Sequence, residues 1–182
     1  PRLKDVNGDN HIDQNDRVVL GSKQPRLIYG FSSSVNFRGF DLFVLLQGAS
    51  GNSVYNQLRR YLERPTDAYN ASAALLNSWT ENNPSNTVPR ITSAPFSSEL
   101  DSRYIEDASF VRLRTITLGY SANKAWLTAR KLPSLKIRLF ATAQNLLTLT
   151  GYKGYDPEVS KGIDLGTFPM PRSFLFGVNI SY

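Results

Sequence analysis

Residues 173–182 read SFLFGVNISY, with Phe174, Phe176, Val178, Ile180 and Tyr182 alternating against Leu175, Gly177, Asn179 and Ser181. A period of two is the signature of an extended strand whose side chains point alternately to opposite faces, here one apolar and one mostly polar. The apolar face is rich in aromatic rings and suits contact with lipid as well as a protein core.

Four further segments repeat the pattern. Residues 26–38 (RLIYGFSSSVNFR) set Leu27, Tyr29, Phe31, Ser33, Val35 and Phe37 against smaller or polar partners, and residues 40–48 (FDLFVLLQG) set Phe40, Leu42, Val44 and Leu46 against Asp41, Phe43, Leu45 and Gln47. The Arg38-Gly39 break between them predicts a hairpin, although it lacks the usual Asn-Gly turn. In residues 109–120 alternation places Val111, Leu113, Thr115 and Thr117 on one face and Arg112, Arg114, Ile116 and Leu118 on the other, an imperfect pattern that leaves room for a bulge. Residues 135–149 set Leu135, Ile137, Leu139, Ala141 and Ala143 against Lys136, Arg138, Phe140, Thr142 and Gln144.

Composition agrees with strands and turns. The 182 residues include nine tyrosines, ten phenylalanines, twelve glycines and ten prolines, with no cysteine and one histidine. No apolar run approaches the roughly 18 residues of a membrane-spanning helix, but barrel strands of about 10 alternating residues leave no such run. Disulfides and cysteine-based metal or thiol chemistry are excluded. The net charge of +6 is spread without a basic block, which speaks against nucleic acid as a partner. Catalysis has little to work with. A Ser-His-Asp triad would need the single His11, and Glu106 and Asp107, as neighbours on a strand, point to opposite faces. The expectation is that the chain is not an enzyme.

Connection lengths define the organisation. The links at 38–39 and 121–134 are short, whereas 49–108 and 150–172 are long and alternate with them along the chain, so the long links gather at one end of the sheet. Short turns at one end and long loops at the other are the habit of outer-membrane barrels, which also typically end on an aromatic strand. The resulting expectation is an all-β fold: about five antiparallel C-terminal strands of a large transmembrane β-barrel. Its divisions are a loop at 1–25, a hairpin at 26–48, a long loop at 49–108, a strand pair at 109–149, a loop at 150–172 and a final strand at 173–182. Five strands cannot close a barrel of even the smallest usual size, about eight, so further strands are expected before Pro1. The alternatives are a soluble dockerin-like module and a carbohydrate-binding β-sandwich.

The sharpest local motif is residues 5–16, DVNGDNHIDQND. Asp5, Asn7, Asp9, Asp13 and Asp16 stand at positions 1, 3, 5, 9 and 12 of a calcium-type loop, and His11 at position 7 offers its backbone carbonyl. Ca²⁺ takes six to eight oxygens, and this spacing wraps them around one point. Asn10 replaces the customary glycine at position 6, and Asp16 the customary glutamate at 12, which makes the loop dockerin-like. The bland alternative is an Asx-rich surface loop. In the longest loop Arg59, Arg60, Arg64, Arg90 and Arg103 accompany Tyr55, Tyr61, Tyr69 and Trp79, a mixture that suits either ligand recognition or a loop packed on itself.

Taken together, the stretches DVNGDNHIDQNDRVVLGSKQPRLIYGF, NFRGFDLFVLLQGASGNSVYN, RYIEDASFVRLRTITLGY, LKIRLFATAQNLLTLTGYKGYDPE and GIDLGTFPMPRSFLFGVNISY resemble the C-terminal part of SusC/RagA-type TonB-dependent outer-membrane transporters. The resemblance implies a barrel of about 22 strands with an N-terminal plug. It also implies a SusD-like surface lipoprotein partner, energy from the TonB complex through a region outside this sequence, and import of glycans or peptides across the outer membrane of a Gram-negative bacterium. Phe174, Phe176, Val178, Ile180 and Tyr182 become the assembly signal, and the long loops with their calcium motif become extracellular.

Overall fold

The computed structural model describes residues 4–64, 70–91, 102–131 and 134–182. In chain order its elements are β1 (Leu27–Phe37), β2 (Phe40–Ser50), β3 (Ser53–Asn56), α1 (Gln57–Leu62), β4 (Ile105–Asp107), β5 (Phe110–Ser121), α2 (Lys124–Ala129), β6 (Lys136–Thr150), β7 (Ile163–Asp164) and β8 (Ser173–Ser181). The chain divides into two compact units. One gathers the N-terminal segment to Gln24, Asn52–Asp107 and Tyr152–Phe168; the other comprises Pro25–Gly51, Ala108–Gly151 and Pro169–Tyr182.

The second unit is one antiparallel sheet in the order β1-β2-β5-β6-β8. Phe37 pairs with Phe40, so the β1–β2 loop is the two residues Arg38 and Gly39, both at positive φ (49° and 89°). These are the angles of a type I′ turn, whose twist matches that of the flanking strands. The turn is therefore a tight two-residue hairpin despite the missing Asn. Tyr29 lies across Gly48 on the neighbouring strand, where a Cβ would stand 2.5 Å from the ring, and its hydroxyl donates to the Phe110 carbonyl on β5 at 3.3 Å. An aromatic laid over a glycine in this way ties three strands together.

Register corrects one expectation. Strict alternation puts Thr115 and Thr117 with Val111 and Leu113, but the pairing of β5 with β6 shifts between Leu113 and Thr115. Leu113 pairs with Leu147 and Ile116 with Ala143, so Ile116, Leu118 and Tyr120 join Val111 and Leu113, while Thr115 and Thr117 turn to the face of Arg112. On β6, Asn145 has φ 51° at the same irregularity, and Leu147 and Leu149 stay with Leu139. The extra residue in a bulge reverses the side-chain phase, and the reversal here keeps the apolar face continuous. The 121–134 link also contains a short helix, α2, started by Asn123, whose side chain accepts from the Ala125 N–H.

The other unit is a small sheet, β4-β3-β7, with β3 parallel to β7 and antiparallel to β4. Its strands are two to four residues long, too short to show a period. Val54, Tyr55, Tyr104 and Tyr152 form its buried apolar part.

Candidate functional site: an exposed apolar sheet face and its polar reverse

Cross-strand register places Phe31, Leu46, Leu113, Leu147 and their neighbours on a single face that runs across all five strands to Phe174, Phe176, Val178 and Ile180. Among the described residues the large apolar side chains of this face are mostly exposed. Phe31 is 60 % exposed, Phe176 79 % and Ile180 67 %. At about 25 cal/mol per Å² of apolar surface, so broad a patch is strongly unfavourable in water. The reverse face is the more polar one, carrying Ser32, Ser34, Asn36, Thr115, Thr117, Thr142, Gln144 and Asn179 alongside Phe43, Leu45, Phe140 and Leu175. There the Thr117 and Thr142 hydroxyls lie 2.8 Å apart, and buried Arg112 donates from Nε to Thr148 Oγ1 at 2.9 Å. Asp41 and Arg138 form an ion pair on the same side.

Apolar outside, polar inside and strands of nine to fifteen residues define a piece of transmembrane β-barrel wall. The sheet is open, with β1 and β8 as its edges. Phe174, Phe176, Val178 and Ile180, the residues expected to form an assembly signal, all lie on the lipid-type face, and Tyr182 after them is fully exposed.

Residues 5–16 wind as a series of Asx turns. Asp5 accepts the backbone N–H groups of Gly8 (2.6 Å) and Asn10 (2.8 Å), Asn7 that of Asp9 (3.1 Å), and Asp9 that of His11 (2.8 Å). Asp16 accepts from the Val6 and Asp13 N–H groups at 2.7 and 2.9 Å, bonds that hold its carboxyl below the usual carboxylate range. Asn10 sits at φ 63°, the left-handed setting that position 6 requires. Among the described residues, however, no three Asp, Glu or His groups come together around one point. The backbone thus fits a calcium-type loop, and an ion would need oxygens from Asn7 and the His11 carbonyl as well.

The long-loop arginines are partly committed to packing. Arg59 bonds Glu63 at 2.6 Å and Glu106 at 2.7 Å, and Glu106 also accepts the Lys153 N–H at 3.0 Å. Burial opposes the Arg59 charge, but the two carboxylates outweigh it and raise its pKa. Arg103 lies over the buried Tyr104 ring and donates to its hydroxyl. Tyr61 is exposed, Tyr55 is buried, and Tyr69 lies outside the described residues.

Sequence reasoning missed a second polar centre. Tyr152 donates to Asp164 Oδ2 at 2.7 Å, and the Gly166 and Thr167 N–H groups donate to Oδ1 at 2.9 and 2.8 Å, with Asp164 fully buried. Burial pushes the Asp164 carboxyl up, and bonds from Thr167, Tyr152 and Gly166 more than offset it, leaving a net lowering. The Tyr152 hydroxyl is pushed far up, first by burial and then by the carboxylate.

No family model matches the chain. Among curated proteins it is 31 % identical to TonB-dependent receptor P3 of Formosa agariphila, over 98 % of this chain and 18 % of that protein. TonB-dependent receptor SusC of Bacteroides thetaiotaomicron is 30 % identical over 98 % of this chain and 17 % of its own length. Among solved structures, the RagAB peptide transporter aligns with a TM-score of 0.82 and 27 % identity over 94 % of this chain and 19 % of that one. The RagAB peptide importer in its open-open state aligns with a TM-score of 0.77 and 28 % identity over 89 % and 18 %. This chain is therefore related across nearly its whole length to SusC/RagA-type TonB-dependent receptors, and its fold is part of their barrel. It spans less than a fifth of the curated relatives named here.

Proposed function

We propose that the chain supplies C-terminal barrel wall and loops to a TonB-dependent outer-membrane transporter that imports glycans or peptides. The observation that carries this reading is the broad exposed apolar face, which water disfavours and acyl chains accept. The polar reverse face then lines the lumen. Its location is the outer membrane of a Gram-negative bacterium. The loops 1–25, 49–108 and 150–172 lie outside the cell, and the final strand descends toward the periplasm. A SusD-like surface lipoprotein meets the loops, and the TonB complex engages a region beyond this chain. Support for the peptide class comes from RagAB, named as a peptide importer. The chain has no catalytic role, in keeping with relatives named as receptors and importers.

The test is deletion of the full-length gene, followed by growth on single glycans and oligopeptides as sole nutrient. Loss of growth on one class, restored by the intact gene, is expected. Unchanged growth and uptake on every substrate would overturn the reading.

We also infer that residues 5–16 hold a structural Ca²⁺ ion. The winding of the loop and the φ of Asn10 support this, and the bland Asx-loop alternative is what its test would leave standing.

A further inference from the structure

Arg38 and Lys131 both hold a positive φ, 49° and 63°, a setting unfavourable for long side chains. The other two non-glycine residues with positive φ among the described residues, Asn10 and Asn145, are of the tolerant type. Both cations lie in the short connections of the five-stranded sheet, between β1 and β2 and after α2, and so at the same end of its strands. Each connection also has a guanidinium over an aromatic ring. Arg38 stands 5.2 Å from the Phe37 centroid, and Arg130 5.5 Å from that of Trp126, which is half exposed. Beside Phe37 on the apolar face, the Phe40 and Tyr120 rings lie 4.7 Å apart.

Charge is segregated in the same sense. All fifteen acidic residues except Asp41 fall in 1–26, 51–109 and 151–172, and neither short connection contains one. Asp41 is itself neutralised by Arg138. Arg38, Arg130 and Lys131 are exposed.

We propose that these two connections form a rim that binds the anionic headgroups of phospholipids. Arg38 and Arg130 donate to phosphodiester oxygens in the fork geometry of a guanidinium, and Lys131 adds a point charge. Phe37, Tyr120 and Trp126 sit at the depth where headgroup meets acyl chain, the usual place of aromatic belts. Short turns of outer-membrane barrels lie on the periplasmic side, which selects a phospholipid leaflet as the occupant. The inference rests on the transmembrane reading of the sheet and adds the lipid.

The experiment uses the full-length transporter in detergent, mixed with equal amounts of phosphatidylglycerol and phosphatidylcholine, with bound lipid counted by native mass spectrometry. Phosphatidylglycerol should dominate, and R38N/R130Q/K131N should lower its excess about tenfold or more. Asparagine suits positive φ, so this variant loses charge without added backbone strain. R38K/R130K, which keeps the charge and loses the fork, should keep part of the preference, and Arg130→Gln alone should also lose part of it. Heat-modifiable gel migration reports barrel folding separately, and a wild-type protein that never migrates as a folded barrel would sink the transmembrane reading and this inference with it. A folded barrel that binds both lipids equally, or a triple variant with unchanged preference, would overturn the lipid rim alone.

Discussion

The Arg138 guanidinium grips the Asp41 carboxylate with two contacts, Nε to Oδ1 at 2.9 Å and Nη2 to Oδ2 at 2.5 Å, reaching from β6 to β2 over the intervening β5. Gly119 makes room for it, since a Cβ there would stand 2.4 Å from Asp41 Oδ1 and 2.6 Å from Arg138 Nη2. Gly119→Val is expected to break the pair and lower the thermal midpoint of the full-length barrel in detergent. Asp41→Asn with Arg138→Gln should show a non-additive cycle. Additive effects would mean the pair contributes nothing through its contact.

The exposed apolar face makes a depth-dependent prediction. Phe176→Arg, in the middle of β8, should destabilise the folded barrel in phospholipid vesicles by about 2–4 kcal/mol, whereas Ser32→Arg on the polar face should cost much less. Urea titration of the reconstituted protein measures both. Equal costs would contradict the assignment of faces.

Tyr152 and Asp164 set a pH window for the small unit. Asp164 has a lowered folded pKa, so its contribution is present above the ordinary carboxylate pKa near 4 and is lost as pH falls through the folded value. Tyr152 has a raised folded pKa, so its contribution is present below about 10 and is lost progressively as pH rises toward the folded value. Tyr152→Phe should leave the buried carboxylate short of a donor, costing about 1–3 kcal/mol, and should flatten the alkaline arm. Denaturation of the full-length protein between acid and alkaline pH, followed by loop-specific proteolysis, checks this.

Calcium binding by residues 5–16 should appear in calorimetry with a dissociation constant of about 10⁻⁴–10⁻³ M, the range of extracellular modules. Asp5→Ala removes the acceptor of two backbone N–H groups and should abolish the heat, while Asn10→Gly should preserve it because glycine adopts φ 63° freely. Absence of heat at millimolar calcium would reject the site.

Deleting Tyr182, which follows the last strand residue Ser181, should reduce the surface abundance of the full-length protein. Immunoblotting of outer-membrane fractions provides the measure, and unchanged abundance would count against the aromatic terminus as an assembly signal.

The five long strands, the hairpin at Arg38-Gly39 and the lipid-type face of β1, β2 and β8 follow from the sequence itself, because period-two alternation is local and these last three strands carry enough of the pattern to declare their phase. Family resemblance was also readable there, in several ordered stretches. Tertiary structure alone decided the phase change at Leu113, the bridge from Asp41 to Arg138, the commitment of Arg59 to Glu106, and the burial of Asp164 beneath Tyr152. The reason is range: a bulge is defined by what the neighbouring strand does. The partners Asp41 and Arg138 are 97 residues apart, and Arg59 and Glu106 are 47 apart, distances over which no local period carries information.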